Sequence, residues 1–177
     1  MKTRHAGKTA YLGLYAALAV LMGYVEALLP FNFGIPGFKL GLCNIVIVFV
    51  LFTFGFAEAL IVSLIRILII GFMFGNLFSI VYSAAGTVLA LVTMRALIET
   101  GLFSSVGISA AGGAAHNTGQ LIIACMLVRG IPFMQYYPVL TLLGCGAGCA
   151  TGILILIVMP HLPKDMKNGE RYRGRND

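Results

Sequence analysis

The sequence has no tryptophan, its only aspartates are Asp165 and Asp177, and no two charged residues are adjacent anywhere between residues 9 and 160. Charged side chains make up 10% of the 177 residues, against roughly 25% in soluble domains. That scarcity excludes a water-soluble fold, because too little polar surface is available to meet solvent. Two aspartates at the extreme end exclude an aspartate-rich motif that would hold Mg²⁺ and a diphosphate for prenyl transfer. The four cysteines, Cys43, Cys125, Cys145 and Cys149, form no C-x-x-C pair and all lie in apolar segments, which points to packing rather than a disulfide or a metal. Three scattered histidines, His5, His116 and His161, make no metal site. The string GKT at 7–9 does not complete a phosphate-binding loop, since the first glycine of that motif would fall on Lys2. No catalytic or cofactor motif is found, so the chain reads as a non-enzyme that uses no cofactor.

What remains is apolar. Hydrophobic residues make up 59% of the chain and the mean hydropathy is +0.97. The length accommodates about six spans of roughly 20 residues, and the expected fold is an all-α integral membrane protein of six transmembrane helices. The spans fall at about 9–29, 40–55, 57–73, 76–96, 105–128 and 135–159. The uninterrupted run from Leu40 to Phe74 would be about 52 Å long as one helix. It must therefore fold back inside a hydrocarbon core of roughly 30 Å, and TFGFAE (53–58) is the expected turn. This gives a six-helix domain over 9–160, flanked by basic tails at 1–8 and 161–177. The run from Ala10 to Leu29 lacks a cleavage signature and reads as a retained first helix.

The net charge of +6 does not signal nucleic acid. Lys2, Arg4, Lys8, Lys164, Lys167, Arg171, Arg173 and Arg175 lie in the tails, and Arg95 falls on the same side of the membrane. Only Lys39 and Arg129 fall on the other. The asymmetry places both termini in the cytoplasm of a multi-pass plasma-membrane protein, with the tails against anionic lipid heads.

Polar groups within the spans are few and grouped. Ser109, His116 and Gln120 share one face of span 5, and Asn117 is turned about 100° away. Each needs a partner, because an unsatisfied polar group in lipid costs several kcal/mol. Two readings stand: hydrogen bonds that pin helices together, or a ligand site. Arg66 is the most expensive residue, at about 2.5–3.5 kcal/mol or more near mid-bilayer, and Glu26 is its expected partner. With Lys39 and Asn44 opening span 2, these groups gather toward the outer half. That placement favours a pocket of Lys39, Asn44, Arg66, His116, Asn117 and Gln120 for a small amphipathic ligand. Its anionic end would meet Lys39 and Arg66. Small residues recur every fourth position at Gly13/Ala17, Ala19/Gly23, Gly75/Ser79/Ser83, Gly107/Ala111/Ala115/Gly119 and Gly144/Gly148/Gly152. Such stripes let helix backbones approach closely, and one of them is free to serve as an external docking face.

PGFKLGLCNIV (36–46), GNLFSIVYSAAG (75–86) and GISAAGGAAHNTGQL (107–121) resemble a bacterial membrane family over about residues 10–160. Its members are labelled Gx transporters or heptaprenyl diphosphate synthase component I. Pro36, Gly37, Lys39, Leu40, Gly41, Leu42 and Asn44 match one motif, and His116, Asn117, Gly119 and Gln120 the other. The family is in turn similar to the S components of energy-coupling factor transporters, six-helix bundles that capture a micronutrient outside the cell. That resemblance implies an S-component-like bundle, a coupling subunit with paired ATPases as partners, and a docking face that includes Gly13 and Ala17. It implies a ligand such as a vitamin or an isoprenoid or quinone precursor. The synthase label implies the alternative, a non-catalytic membrane subunit beside a soluble polyprenyl diphosphate synthase.

Overall fold

The computed structural model describes residues 2–28, 41–127 and 133–162. Six α-helices follow in order: α1 (Lys2–Leu28), α2 (Leu42–Thr53), α3 (Phe56–Phe74), α4 (Leu77–Thr100), α5 (Ser105–Leu127) and α6 (Tyr137–Val158). Short 3-10 turns at Phe133–Tyr136 and Met159–His161 flank α6. Among the described residues there is no strand.

The breaks between helices fall at residues whose chemistry demands them. α2 and α3 separate inside the expected turn, where Gly55 takes φ 108°, a conformation that L side chains rarely adopt and glycine tolerates. Just before it, the Thr53 hydroxyl turns back to donate to the Phe49 carbonyl at 2.7 Å. Asn76 starts α4 by accepting the Ser79 N–H on its side-chain oxygen at 2.9 Å. Gly101, left-handed at φ 66°, ends it. Pro138 sits in the first turn of α6, where a missing N–H costs nothing.

Two boundaries differ from expectation. α1 begins at Lys2, so the helix takes in most of the stretch assigned to a tail. At 27 residues it is about 40 Å long. Lys8 lies on it and forms an ion pair with Glu58 of α3, which gives the extension a tertiary anchor. α4 runs to Thr100, four residues beyond the expected end. Arg95 and Glu99 pair across one helical turn at 2.8 Å, and no breaker intervenes before Gly101.

The outside of the bundle is oily, and the inside holds the polar groups beside an apolar core. Leu102, Phe72, Leu77, Leu142 and Met126 are more than 70% exposed, whereas Thr53, Ser63, Arg66, Ser109 and Gln120 are buried. Four helical stretches, Gly7–Leu28, Phe56–Phe74, Leu77–Thr100 and Tyr137–His161, are long and apolar enough to cross a bilayer. α2, at 12 residues, rises only about 18 Å, and α5 is long enough but loaded with Gly, Ser, His, Asn and Gln. The chain is a helical membrane protein, and its inverted surface is what lipid requires.

Packing assigns most of the small-residue stripes to the interior. α5 lies between α4 and α6, and α1 between α2 and α3. The stripe Gly144, Gly148 and Gly152 sits against α5 backbone. A Cβ at Gly148 would run into the Ser109 carbonyl, and one at Gly152 would approach the Val106 Cα to 2.5 Å. On α5 the contacts come from Gly112, Gly113 and Gly119 rather than from the whole expected row, since Gly107 has no comparably close neighbour. Gly13 and Ala17 are exposed, and nothing lies within 4 Å of a Cβ at Gly13. α2 is central: Val46, Ile47, Val50, Leu51 and Phe52 are buried with Ala19, Ala59, Val62, Leu91, Ile108 and Ile155. That explains a helix apolar on every side.

Candidate functional site

A cavity runs inside the bundle, walled by all six helices. Near the end where α1 stops and α2 starts it is lined by Glu26, Gly41, Cys43 and Asn44, and deeper by Arg66, His116, Asn117 and Gln120. It continues past Ser83 and Thr87 to Met94, Ser109 and Thr151, toward the opposite end, which carries the Lys8–Glu58 pair. It has about 70 Å³ open to water centres. One water takes roughly 10–15 Å³ of such space, so the cavity holds a handful of waters or one slender group.

Five of the six expected pocket residues, Asn44, Arg66, His116, Asn117 and Gln120, meet at this one cavity. They come from α2, α3 and α5, far apart in sequence. Lys39 lies outside the described residues. Beyond these residues, Ser109 and Thr151 extend the polar lining toward the opposite end of the bundle.

Glycines make room for this lining. A Cβ at Gly86 on α4 would come within 2.6 Å of the Gln120 Cγ and 2.8 Å of the His116 carbonyl. Gly23 on α1 makes room for Ile70 of α3, whose Cγ1 would lie 3.0 Å from a Cβ there, and the Arg66 Cδ would be in ordinary contact at 3.5 Å. α1 and α4 can therefore close on the side chains of α3 and α5 without displacing them.

The hydrogen bonds separate structural from uncommitted groups. Asn117 donates from Nδ2 to the Leu140 carbonyl of α6, so its amide pins α5 to α6. Thr118, adjacent in sequence, turns back to the Ala114 carbonyl at 2.9 Å. Glu26 does not pair with Arg66. Its Oε1 accepts the Gly41 N–H, and its Oε2 accepts the Cys43 thiol at 3.5 Å. Glu26 thus holds the start of α2 against the end of α1, where Gly41 (φ 74°) turns the chain into the helix.

Arg66 is left over. It stands ten residues from the start and eight from the end of α3, is 7% exposed, and its Nε has no partner. The hydroxyls of Thr87 and Ser109, also on the cavity wall, are buried and unpartnered too. A buried donor left unmatched costs about 1–3 kcal/mol, more when charged. Among the described residues two further unpartnered hydroxyls, Ser105 and Thr141, lie off the cavity, but three of the five such groups gather around it and give it hydrogen-bonding capacity that the fold does not use.

The structural role of Asn117 is testable. Asn117→Leu is expected to destabilise the protein by about 0.6–1.7 kcal/mol, the range for a single interhelical bond in a membrane. A melt in detergent would read it. No change in melting would mean that the α5–α6 contact rests on the glycines alone.

Sequence reading missed Ser83, Thr87 and Thr151 as wall residues. Serine and threonine are inconspicuous in an apolar helix because they can satisfy themselves on the preceding turn, as Thr151 does on the Ala147 carbonyl at 3.0 Å. The available signal was spacing: Ser83, Thr87, Ala90, Leu91 and Met94 follow one face of α4.

These features define a class: a membrane-embedded helical bundle with a polar, partly unsatisfied cavity at its centre. A family model described as heptaprenyl diphosphate synthase component I matches residues 15–158, and the chain belongs to that family. No curated protein and no solved structure matches it.

Proposed function

We propose that the protein is a membrane-embedded binding subunit that captures a small amphipathic molecule with an anionic end. The observation that carries this reading is Arg66, a buried guanidinium with an unpartnered Nε in an internal cavity. Retaining a cation there against a cost of several kcal/mol makes physical sense if a ligand supplies the missing negative charge. Gln120, His116 and Asn44 supply directional hydrogen bonds around it, and Lys39 is the second cation that the sequence assigns to the same anionic end.

In this reading both termini face the cytoplasm of a bacterial plasma membrane, so the Glu26–Gly41 end of the cavity faces outward. The chain works as an S-component-like subunit beside a coupling subunit and paired ATPases, with the open face at Gly13 and Ala17 available for docking. Isoprenoid or quinone precursors and vitamins fit the ligand description. The family match favours a second reading, a non-catalytic membrane subunit of a polyprenyl diphosphate synthase, with the cavity receiving the end of a prenyl substrate.

The deciding experiment is a tagged pull-down in mild detergent, with proteins and small molecules identified by mass spectrometry. Recovery of a coupling subunit with paired ATPases is the expected result. Recovery of a soluble prenyl synthase without ATPases would replace the first reading with the second. A preparation carrying no small molecule, and taking up none from cell extract, would overturn the binding role in both.

A further inference from the structure

The cavity has two polar ends. From Gln120 to Ser109 it follows eleven residues of α5, about 16 Å of helix. A volume of about 70 Å³ spread over that length leaves a passage roughly one hydrocarbon chain wide. The wall chemistry changes along the way. Arg66, His116 and Gln120 occupy one end, Ile47, Val48, Ala90 and Leu91 line a largely apolar stretch interrupted by Thr87, and Ser109 occupies the far end with Thr151, whose hydroxyl donates to Ala147 and is left to accept.

The far end is assembled rather than incidental. Gly148 packs on the main chain of Ser109, which brings the α6 segment carrying Thr151 alongside that part of α5. Ser109 is 2% exposed, and its hydroxyl has no partner although the preceding turn of helix offers carbonyls. Ser63 and Thr53, in equally buried positions, do bond back to carbonyls of their own helices, Ser63 at 2.6 Å and Thr53 at 2.7 Å. The Ser109 hydroxyl therefore stands free in the cavity wall, as does that of Thr87 at the middle.

We infer that Ser109 and Thr151 form a second subsite, and that the ligand is a slender molecule polar at both ends. An anionic group would sit at Arg66, and a hydroxyl or carbonyl at Ser109 and Thr151, with an apolar chain between. Seven residues separate His116 from Ser109, which sets the spacing of the two polar ends at about 10 Å. A chain with a bare hydrocarbon end would leave the Ser109 hydroxyl unmatched. The inference rests on the binding role assigned to Arg66 and adds the chemistry of the other end.

The test compares two probes on the purified full-length protein in detergent: a medium-chain alkanoate and its ω-hydroxy counterpart of equal length. Binding is read by shift in thermal unfolding and confirmed by calorimetry. The ω-hydroxy acid is expected to bind roughly tenfold tighter, the gain from matching one buried hydroxyl. The double variant Ser109→Ala, Thr151→Val should erase that ratio by removing the advantage of the ω-hydroxy acid. Equal binding of the two probes to the native protein would overturn the second subsite and leave the anionic end standing. A ratio that survives the double variant would also overturn it. Binding of neither probe would overturn both readings. Alkanoate binding that persists in Arg66→Met would remove the reading on which this one depends.

Discussion

Replacing Arg66 with methionine is expected to stabilise the empty protein and abolish its ligand binding. The two effects have one cause. In the empty cavity the guanidinium is buried with Nε unpaired, and Glu26, the one carboxylate among the described lining residues, is engaged with Gly41 and Cys43. Methionine has a similar flexible stem and keeps the contact with Gly23, so little packing is lost. Even buried ion pairs are often replaced by well-packed apolar side chains with a gain of about 1–4 kcal/mol, and an unmatched charge has less to lose. A gain of about 1–3 kcal/mol is expected in a detergent melt of the ligand-free protein. The loss should appear as a failure to retain anionic ligand at any concentration that saturates the native protein. Arg66→Lys separates charge from geometry: it keeps the cation but loses the planar fork suited to carboxylate or phosphate, so partial retention is expected. A clear drop in stability for Arg66→Met would show instead that Arg66 has a structural role, and the binding assignment would fall with it.

Most of the fold could be read from the sequence because the punctuation is chemical. Gly55, Asn76 and Pro138 stop or start helices close to the expected boundaries, and the helix order follows, whereas the stop at Gly101 lies beyond the expected end of α4. What could not be read are the contacts made across the bundle. Lys8 and Glu58 lie 50 residues apart, and nothing local links them. Glu26 was paired with Arg66 on depth alone, but backbone N–H and thiol donors at the start of α2 lie closer to it. The site was legible to the extent that its residues are conspicuous in apolar surroundings. Asn44, Arg66, His116, Asn117 and Gln120 stand out for that reason, whereas the hydroxyls of Ser83, Thr87 and Thr151 do not. Within the conspicuous set, sequence does not distinguish a group committed to the fold from a free one. Asn117 proves to be a pin and Arg66 proves to be unmatched, although both are polar residues in mid-helix.

The glycine stripes show the same limit and yield the second large prediction. Spacing marks Gly13/Ala17 and Gly144/Gly148/Gly152 as equivalent candidates for close helix contact. The structure separates them: the α6 stripe meets α5 backbone, and the α1 pair meets nothing. Gly148→Val should therefore prevent the native bundle from forming. The added Cβ would run into the Ser109 carbonyl and lie 2.7 Å from the Ala110 Cα, and both are backbone atoms that cannot rotate away. α6 would have to move off α5 along the contact that also carries the Asn117–Leu140 bond. Overpacking in a core already costs about 1–3 kcal/mol where side chains can adjust. Here the helices must part, and the loss is expected to exceed that range, giving aggregated or degraded protein by fluorescence size-exclusion. Gly13→Val and Gly146→Ala, at positions with no atom within 4 Å of an added Cβ, should leave folding intact. Gly13→Val then has a further use, because a bulky residue on an open face disturbs only a partner that docks there. Normal folding with loss of a co-purifying subunit would place the docking surface on α1. Normal folding with the partner retained would move it elsewhere. A well-folded Gly148→Val protein would contradict the α5–α6 packing, and with it the cavity that this contact encloses.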